Sequence, residues 1–127
     1  MTMADQQLTA SAFDFNAEAS VAGGTIQIKL TGTADMAVRT VLDDFLGRVH
    51  TRAVGLHVKQ AVLDVRQLAF MNSSCLMELA SWIAKILELP ASERYRINVL
   101  STAETHWQRR SFEALSRLSS ELLTVES

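Results

Sequence analysis

The chain has 127 residues, enough for one compact domain that buries a real core without staples. Hydrophobic residues make up 48% and the net charge is -2, with both signs spread along the chain. That composition argues against a disordered chain and against nucleic acid or an anionic membrane as the main partner. A single cysteine forms no internal disulfide and points to a reducing compartment. No apolar run reaches the length of a membrane span, and MTMADQQLTAS lacks the basic start and apolar core of a signal peptide. The expectation is a cytoplasmic protein without membrane insertion.

Residues 1–10 read as a flexible tail, with one domain over 11–127. Phe13 and Phe15 alternate with polar neighbours, as in a strand. Ile26, Ile28 and Leu30 alternate with Thr25, Gln27, Lys29 and Thr31, and the two runs flank the Gly23-Gly24 turn. An antiparallel hairpin is expected. Asp35 then stands before a helical run, where its carboxylate suits an N-cap. Val38, Val41, Leu42, Phe45 and Val49 form the apolar stripe of that helix.

"QAVLDV" is a short apolar run without alternation and reads as a central strand covered on both faces. A second helix begins near Ser73 or Ser74 and stops at Pro90. Its buried stripe is expected to hold Leu76, Leu79, Ala80, Ile83, Ile86 and Leu87. "YRINVLS" reads as another strand. Thr105 opens a third helix with Trp107, Ser111, Leu115 and Leu118 on one face. "ELLTVE" is either an edge strand or a continuation of that helix. The order predicts an α/β domain, a mostly parallel sheet started by an N-terminal β-hairpin, with helices packed on the sheet.

The junction "LAFMNSSCL" draws attention because two serines and the lone cysteine sit where strand gives way to helix. Val62 to Leu76, "VLDVRQLAFMNSSCL", resembles the signature of STAS domains, the anti-sigma-factor antagonist fold. That family reads apolar-apolar-Asp-Leu-Ser, a spacer, then Phe-Met/Ile-Asp-Ser-Ser/Thr-Gly-Leu. Asp64, Phe70, Met71, Ser73, Ser74 and Leu76 stand at matching positions. "LTGTAD", Leu30 to Asp35, resembles the Leu-x-Gly-x-x-Asp between the second strand and first helix of the family. The likeness spans roughly Ser11 to the C-terminus.

The resemblance implies a non-catalytic partner switch. In the family an ATP-dependent serine kinase, doubling as anti-sigma factor, phosphorylates the first serine after the Asp, and a phosphatase resets it. Carried over, the phospho-acceptor is Ser73, with Asn72 and Cys75 at the partner interface. Asp35 and Ser74 are also expected to bind the partner, as are Met71 and Met77, which by default would be core but as methionines adapt to interfaces. The chain departs from the pattern at Asn72, where the family has Asp, and at Cys75, where it has Gly. The reading implies protein partners only, with no cofactor and no direct nucleic-acid contact.

Plainer readings stand beside it. A serine before a helix is commonly just a cap. Cys75 is either a redox-sensitive thiol at a helix start or, preferred, a small buried hydrophobe. His50, His57 and His106 show no metal-ligand spacing. Arg109 and Arg110 belong by default to a solvated face, with a basic docking patch second. Two alternatives in function remain: an unphosphorylated STAS scaffold subunit of a membrane-lipid transport or other complex, and a small thiol or serine enzyme using Cys75 or Ser73.

Overall fold

The computed structural model describes residues 7–126. Two turns build the first half of the sheet. Strand β1, Gln7–Ala12, pairs antiparallel with β2, Phe15–Ala22, and β2 pairs antiparallel with β3, Thr25–Ala34. Gly23 and Gly24 both have positive φ, 59° and 79°, as a two-residue hairpin loop between paired Ala22 and Thr25 requires. The hairpin expected around these glycines is therefore present.

Two expectations here need correction. Gln7 to Ala10, expected in a flexible tail, are in β1, where Leu8 and Ala10 pack against the core; residues 1–6 of that expected tail lie outside the described residues. Phe13, expected in a strand, stands in the β1–β2 turn with φ 55° and is 86% exposed.

After β3 the chain makes a single 3-10 turn, Met36–Val38, and enters helix α1, Arg39–Gly55. Asp35 caps that turn, its Oδ1 accepting from the Ala37 N–H at 3.0 Å. Helix α1 buries Leu42, Phe45, Leu46, Val49 and Ala53, a stripe with helical spacing. Strand β4, Gln60–Asp64, follows, then a short β5, Leu68–Met71, which was not expected as a separate strand. Helix α2 spans Ser73–Leu87, β6 Arg96–Leu100, α3 His106–Ser116 and β7 Leu123–Glu126. Of the two readings of "ELLTVE", the edge strand holds.

The sheet order is β1-β2-β3-β4-β6-β7, with β5 paired to the end of β3. The pairs β3–β4, β4–β6, β6–β7 and β3–β5 are parallel. Each helical crossover steps in the same direction along this order. Right-handed crossovers stepping one way leave all three helices on one face. Burial agrees. Phe15, Ala17, Ala19, Ile26, Ile28, Leu30, Ala61, Leu63, Ile97, Val99 and Leu123 point into the core. The alternate residues Glu18, Lys29, Val62, Asp64, Asn98 and Leu100 are only half-buried. The β4 strand is thus covered by helix on one face, not two. Its unbroken apolar pattern misleads because Val62 faces the bare side.

Two further differences lie in the helices. The α2 stripe also takes in Cys75 and Trp82, both buried, while Leu76, Ala80 and Leu87 lie at its margin. The α3 helix buries Gln108, Phe112 and Leu115, because it ends at Ser116 and leaves Leu118 outside at 54% exposure. Gln108 is a buried polar residue with a full set of partners. Its Nε2 donates to the carbonyls of Val65 (2.7 Å) and Leu68 (2.9 Å), and its Oε1 accepts from the Thr102 N–H (3.1 Å). These bonds hold the β4–β5 connection, which sets where β5, and hence α2, begins.

Candidate functional site

The candidate site lies where β3 and β5 end and α2 begins. Backbone bonds fix that end: the Asn72 N–H donates to the Ala34 carbonyl at 2.9 Å. Asn72 itself is extended, φ -78° and ψ 171°, and its Oδ1 accepts from the Cys75 N–H at 2.9 Å. Asn72 is therefore the N-cap of α2. Ser73 and Ser74 are its first and second helical residues. The expectation that a serine begins the helix holds for its position, but capping falls to Asn72, whose side-chain oxygen has the reach to the third N–H. Asp at this position would cap in the same way, so the change from the family residue keeps the helix start and removes one charge.

Ser73 is exposed and Ser74 half-buried. The Ser73 hydroxyl is free of the capping role and sits beside the unpaired N–H groups of the first turn. One helical turn further, Met77 is 66% exposed on the same side. Asp35 approaches from the β3 end, exposed, with its carboxylate bonded only within its own turn.

Cys75 and Met71 correct the expected partner surface. Both are buried, at 0% and 6% exposure. The Cys75 Sγ donates to the Asp35 carbonyl at 3.3 Å and so joins the start of α2 to the turn before α1. The third residue of a helix capped from Asn72 faces inward here, so its side chain presents nothing to a partner. Burial first, then the Asp35 and Glu78 carboxylates, push the thiol pKa up, against the opposing pull of Arg39. Met71 pairs with buried Ala34 and faces the helix layer. Asp35, Asn72, Ser73, Ser74 and Met77 are brought together; Met71 and Cys75 support them from below.

Sequence reasoning missed several members of this end. Met36 is 67% and Phe70 45% exposed, and Phe13 is the most exposed large apolar residue among those described. Phe70 stands at a signature position and is surface, while its neighbour Met71 turns to the helix layer. Arg39 and Glu78 also meet here, Nε to Oε2 at 2.9 Å, linking α1 to α2. The Trp107 Nε1–H donates to the Ala69 carbonyl at 2.9 Å and ties α3 to β5. Arg109 is exposed and reaches Glu113 at 3.6 Å one turn along α3, as a solvated helix face does.

Among the described residues no group of three His, Cys, Asp or Glu is placed to hold a metal ion. No helix among them is long and apolar enough to cross a membrane.

The two-layer arrangement, with an N-terminal antiparallel hairpin, a parallel remainder and three helices on one face, is that of the STAS fold. Among solved structures the chain is similar to an anti-sigma factor antagonist from Mycobacterium paratuberculosis, with a TM-score of 0.65 and 18% identity, covering 91% of this chain and 88% of that one. At that identity the likeness establishes the fold. No family model and no curated protein matches the sequence.

Proposed function

We propose that this chain is a non-catalytic regulatory domain that binds a protein partner at the head of α2, and that phosphorylation of Ser73 switches the binding off. The observation that carries the reading is the division of roles at the junction: Asn72 caps the helix, leaving the exposed Ser73 hydroxyl free at the first helical position. The shared fold of an anti-sigma factor antagonist supports a regulator with a protein partner such as an anti-sigma factor; that this partner is also a serine kinase, reset by a phosphatase, is what the resemblance of the junction sequence implies. The work would be cytoplasmic.

A phosphate on Ser73 adds about -1.5 to -2 charges at neutral pH. The helix end favours negative charge there by roughly 0.3–1 kcal/mol, so the fold tolerates the group. A partner fitted to the bare hydroxyl does not, because it meets a bulky dianion beside the Asp35 carboxylate. The switch needs no conformational change. An enzyme built on Cys75 is disfavoured, since a buried thiol with a raised pKa is a poor nucleophile.

The test uses the purified chain with candidate ATP-dependent serine kinases from the same cell. Intact mass should show one added phosphate on the parent and none on Ser73→Ala. Ser73→Asp should weaken binding at least about tenfold, roughly 1.4 kcal/mol. A phosphate mapping to Ser74, or parent-like binding by Ser73→Asp, sinks the switch. Recovery of a transporter ATPase, with no phosphate added, would instead favour the unphosphorylated scaffold.

A further inference from the structure

Phe13 is hard to explain as part of the fold. It is 86% exposed and has φ 55°, in the left-handed region that bulky side chains avoid. Glycine or asparagine would suit the position better. Yet the turn is held firmly. The Asp14 carbonyl accepts from the Thr33 N–H at 2.8 Å, and Asp14 Oδ2 accepts from the Thr33 hydroxyl at 3.3 Å. Gly32, with φ 89°, makes that approach possible, since a Cβ there would overlap the Asp14 carbonyl. A rigid turn thus presents a large apolar ring to solvent.

The location connects it to the head of α2. Thr33, which anchors the turn on one side, pairs on its other side with Phe70, 45% exposed. The next residues, Ala34 to Met36, run to the Asn72 contact. Four of the six exposed large apolar residues, Phe13, Met36, Phe70 and Met77, lie on segments that converge at this end. The carboxylates among them, Asp14 and Asp35, are exposed and face no salt-bridge partner among the described residues.

We propose that Phe13 is the apolar anchor of the partner interface, inserting into an apolar socket on the partner protein whose rim carries Lys or Arg opposite Asp14 and Asp35. This deepens, and rests on, the reading of the α2 head as the docking end. A turn whose backbone is already fixed by the Asp14–Thr33 bonds loses little main-chain freedom on binding, which favours an anchor there. The two acids account for a basic rim.

The experiment titrates the purified candidate serine kinase with the parent, Phe13→Gly, Phe13→Asn, Asp14→Asn and Ser73→Asp. Phe13→Gly and Phe13→Asn both suit the left-handed backbone, so both should melt no lower than the parent and bind at least about tenfold more weakly. Asp14→Asn keeps the acceptor for Thr33 and should weaken binding several-fold at low salt but not at high salt. Parent-like binding by both Phe13 variants, with Ser73→Asp still defective, overturns the anchor alone and leaves the docking end standing. Absence of binding by the parent itself defeats both. A parent that dimerises, with the dimer lost in Phe13→Gly, makes a second copy the occupant and overturns the basic partner.

Discussion

Asn72→Ala and Ser73→Ala, adjacent substitutions, should have unequal consequences for stability. Removing the Asn72 side chain takes away the acceptor 2.9 Å from the Cys75 N–H. Loss of a cap of this kind costs about 1 kcal/mol, in a range of about 0.5–2. The donor left behind belongs to a fully buried residue, which moves the expectation toward the upper end, about 1–2 kcal/mol. An unfolding entropy of about 2.1 cal/mol/K per residue gives roughly 0.27 kcal/mol/K for a chain of this length. The melting temperature of Asn72→Ala should therefore fall by about 4–8 °C. Ser73→Ala removes an exposed hydroxyl at a helical position where alanine is at least as good, so its midpoint should move by less than about 2 °C. Asn72→Asp should keep the cap and stay within the same narrow band. Thermal unfolding followed by far-UV circular dichroism, with a guanidinium titration to compare slopes, measures all three. A loss in Ser73→Ala equal to or larger than that in Asn72→Ala would refute the reasoning, because the serine would then be holding the helix.

Two more expectations concern buried groups. The Cys75 thiol, enclosed and with its pKa raised by burial, should react with an aromatic disulfide reagent only as fast as the protein opens, and Cys75→Ser should leave partner binding intact; rapid labelling of the native chain would restore the redox reading. Tyr95 is buried, its oxygen accepting from Trp82 Nε1–H at 2.9 Å and lying 2.7 Å from His50 Nδ1, so its own proton is best directed to that nitrogen. Burial first, then Lys85, lowers the His50 pKa, with Glu88 opposing, so the unfolded chain takes the proton more readily than the folded one. Stability from this group is present above the ordinary histidine value of 6.5 and is lost as pH falls below it toward the folded value. Denaturation midpoints from pH 8 to 5 should show that decline in the parent and a smaller one in His50→Gln; equal declines would remove His50 as the cause.

The parts of the fold that could be read early were those where one face is wet and the other dry. The alternation from Thr25 to Thr31 and the spacing of Leu42, Phe45 and Val49 carry their period openly, because each element buries a single side. What escaped were elements whose burial depends on distant partners. Strand β1 has small, mixed residues, and only its pairing with β2 and packing on α1 give it a place. Strand β5 is short and exists because Gln108, far along the chain, holds the loop before it. Trp82, absent from the expected α2 stripe, is buried because Tyr95 supplies an acceptor for its N–H. The candidate site divided along the same line. Ser73 was legible as a position, but which of Asn72 and Ser73 caps the helix depends on a backbone angle, and Cys75 and Met71 were turned inward by contacts with the Asp35 carbonyl and with β3.

That division makes the proposed phosphorylation of Ser73 compatible with the fold. A capping side chain is engaged: phosphorylating it would break the bond that starts the helix, and the modified state would be a less stable one. A residue just inside the helix has no such duty, yet still lies within reach of the first-turn N–H groups and the positive end of the helix. With Asn72 as cap, Ser73 has this second position, so its chemistry is separable from folding. The neighbours keep it so. Cys75 anchors the helix start from beneath, the Arg39–Glu78 pair ties α2 to α1, and the Asn72 N–H is fixed to Ala34. A phosphate at Ser73, as proposed, would therefore have no loosely held element to displace, and its effect would fall on the proposed partner, over Met77, Asp35 and the exposed Phe13.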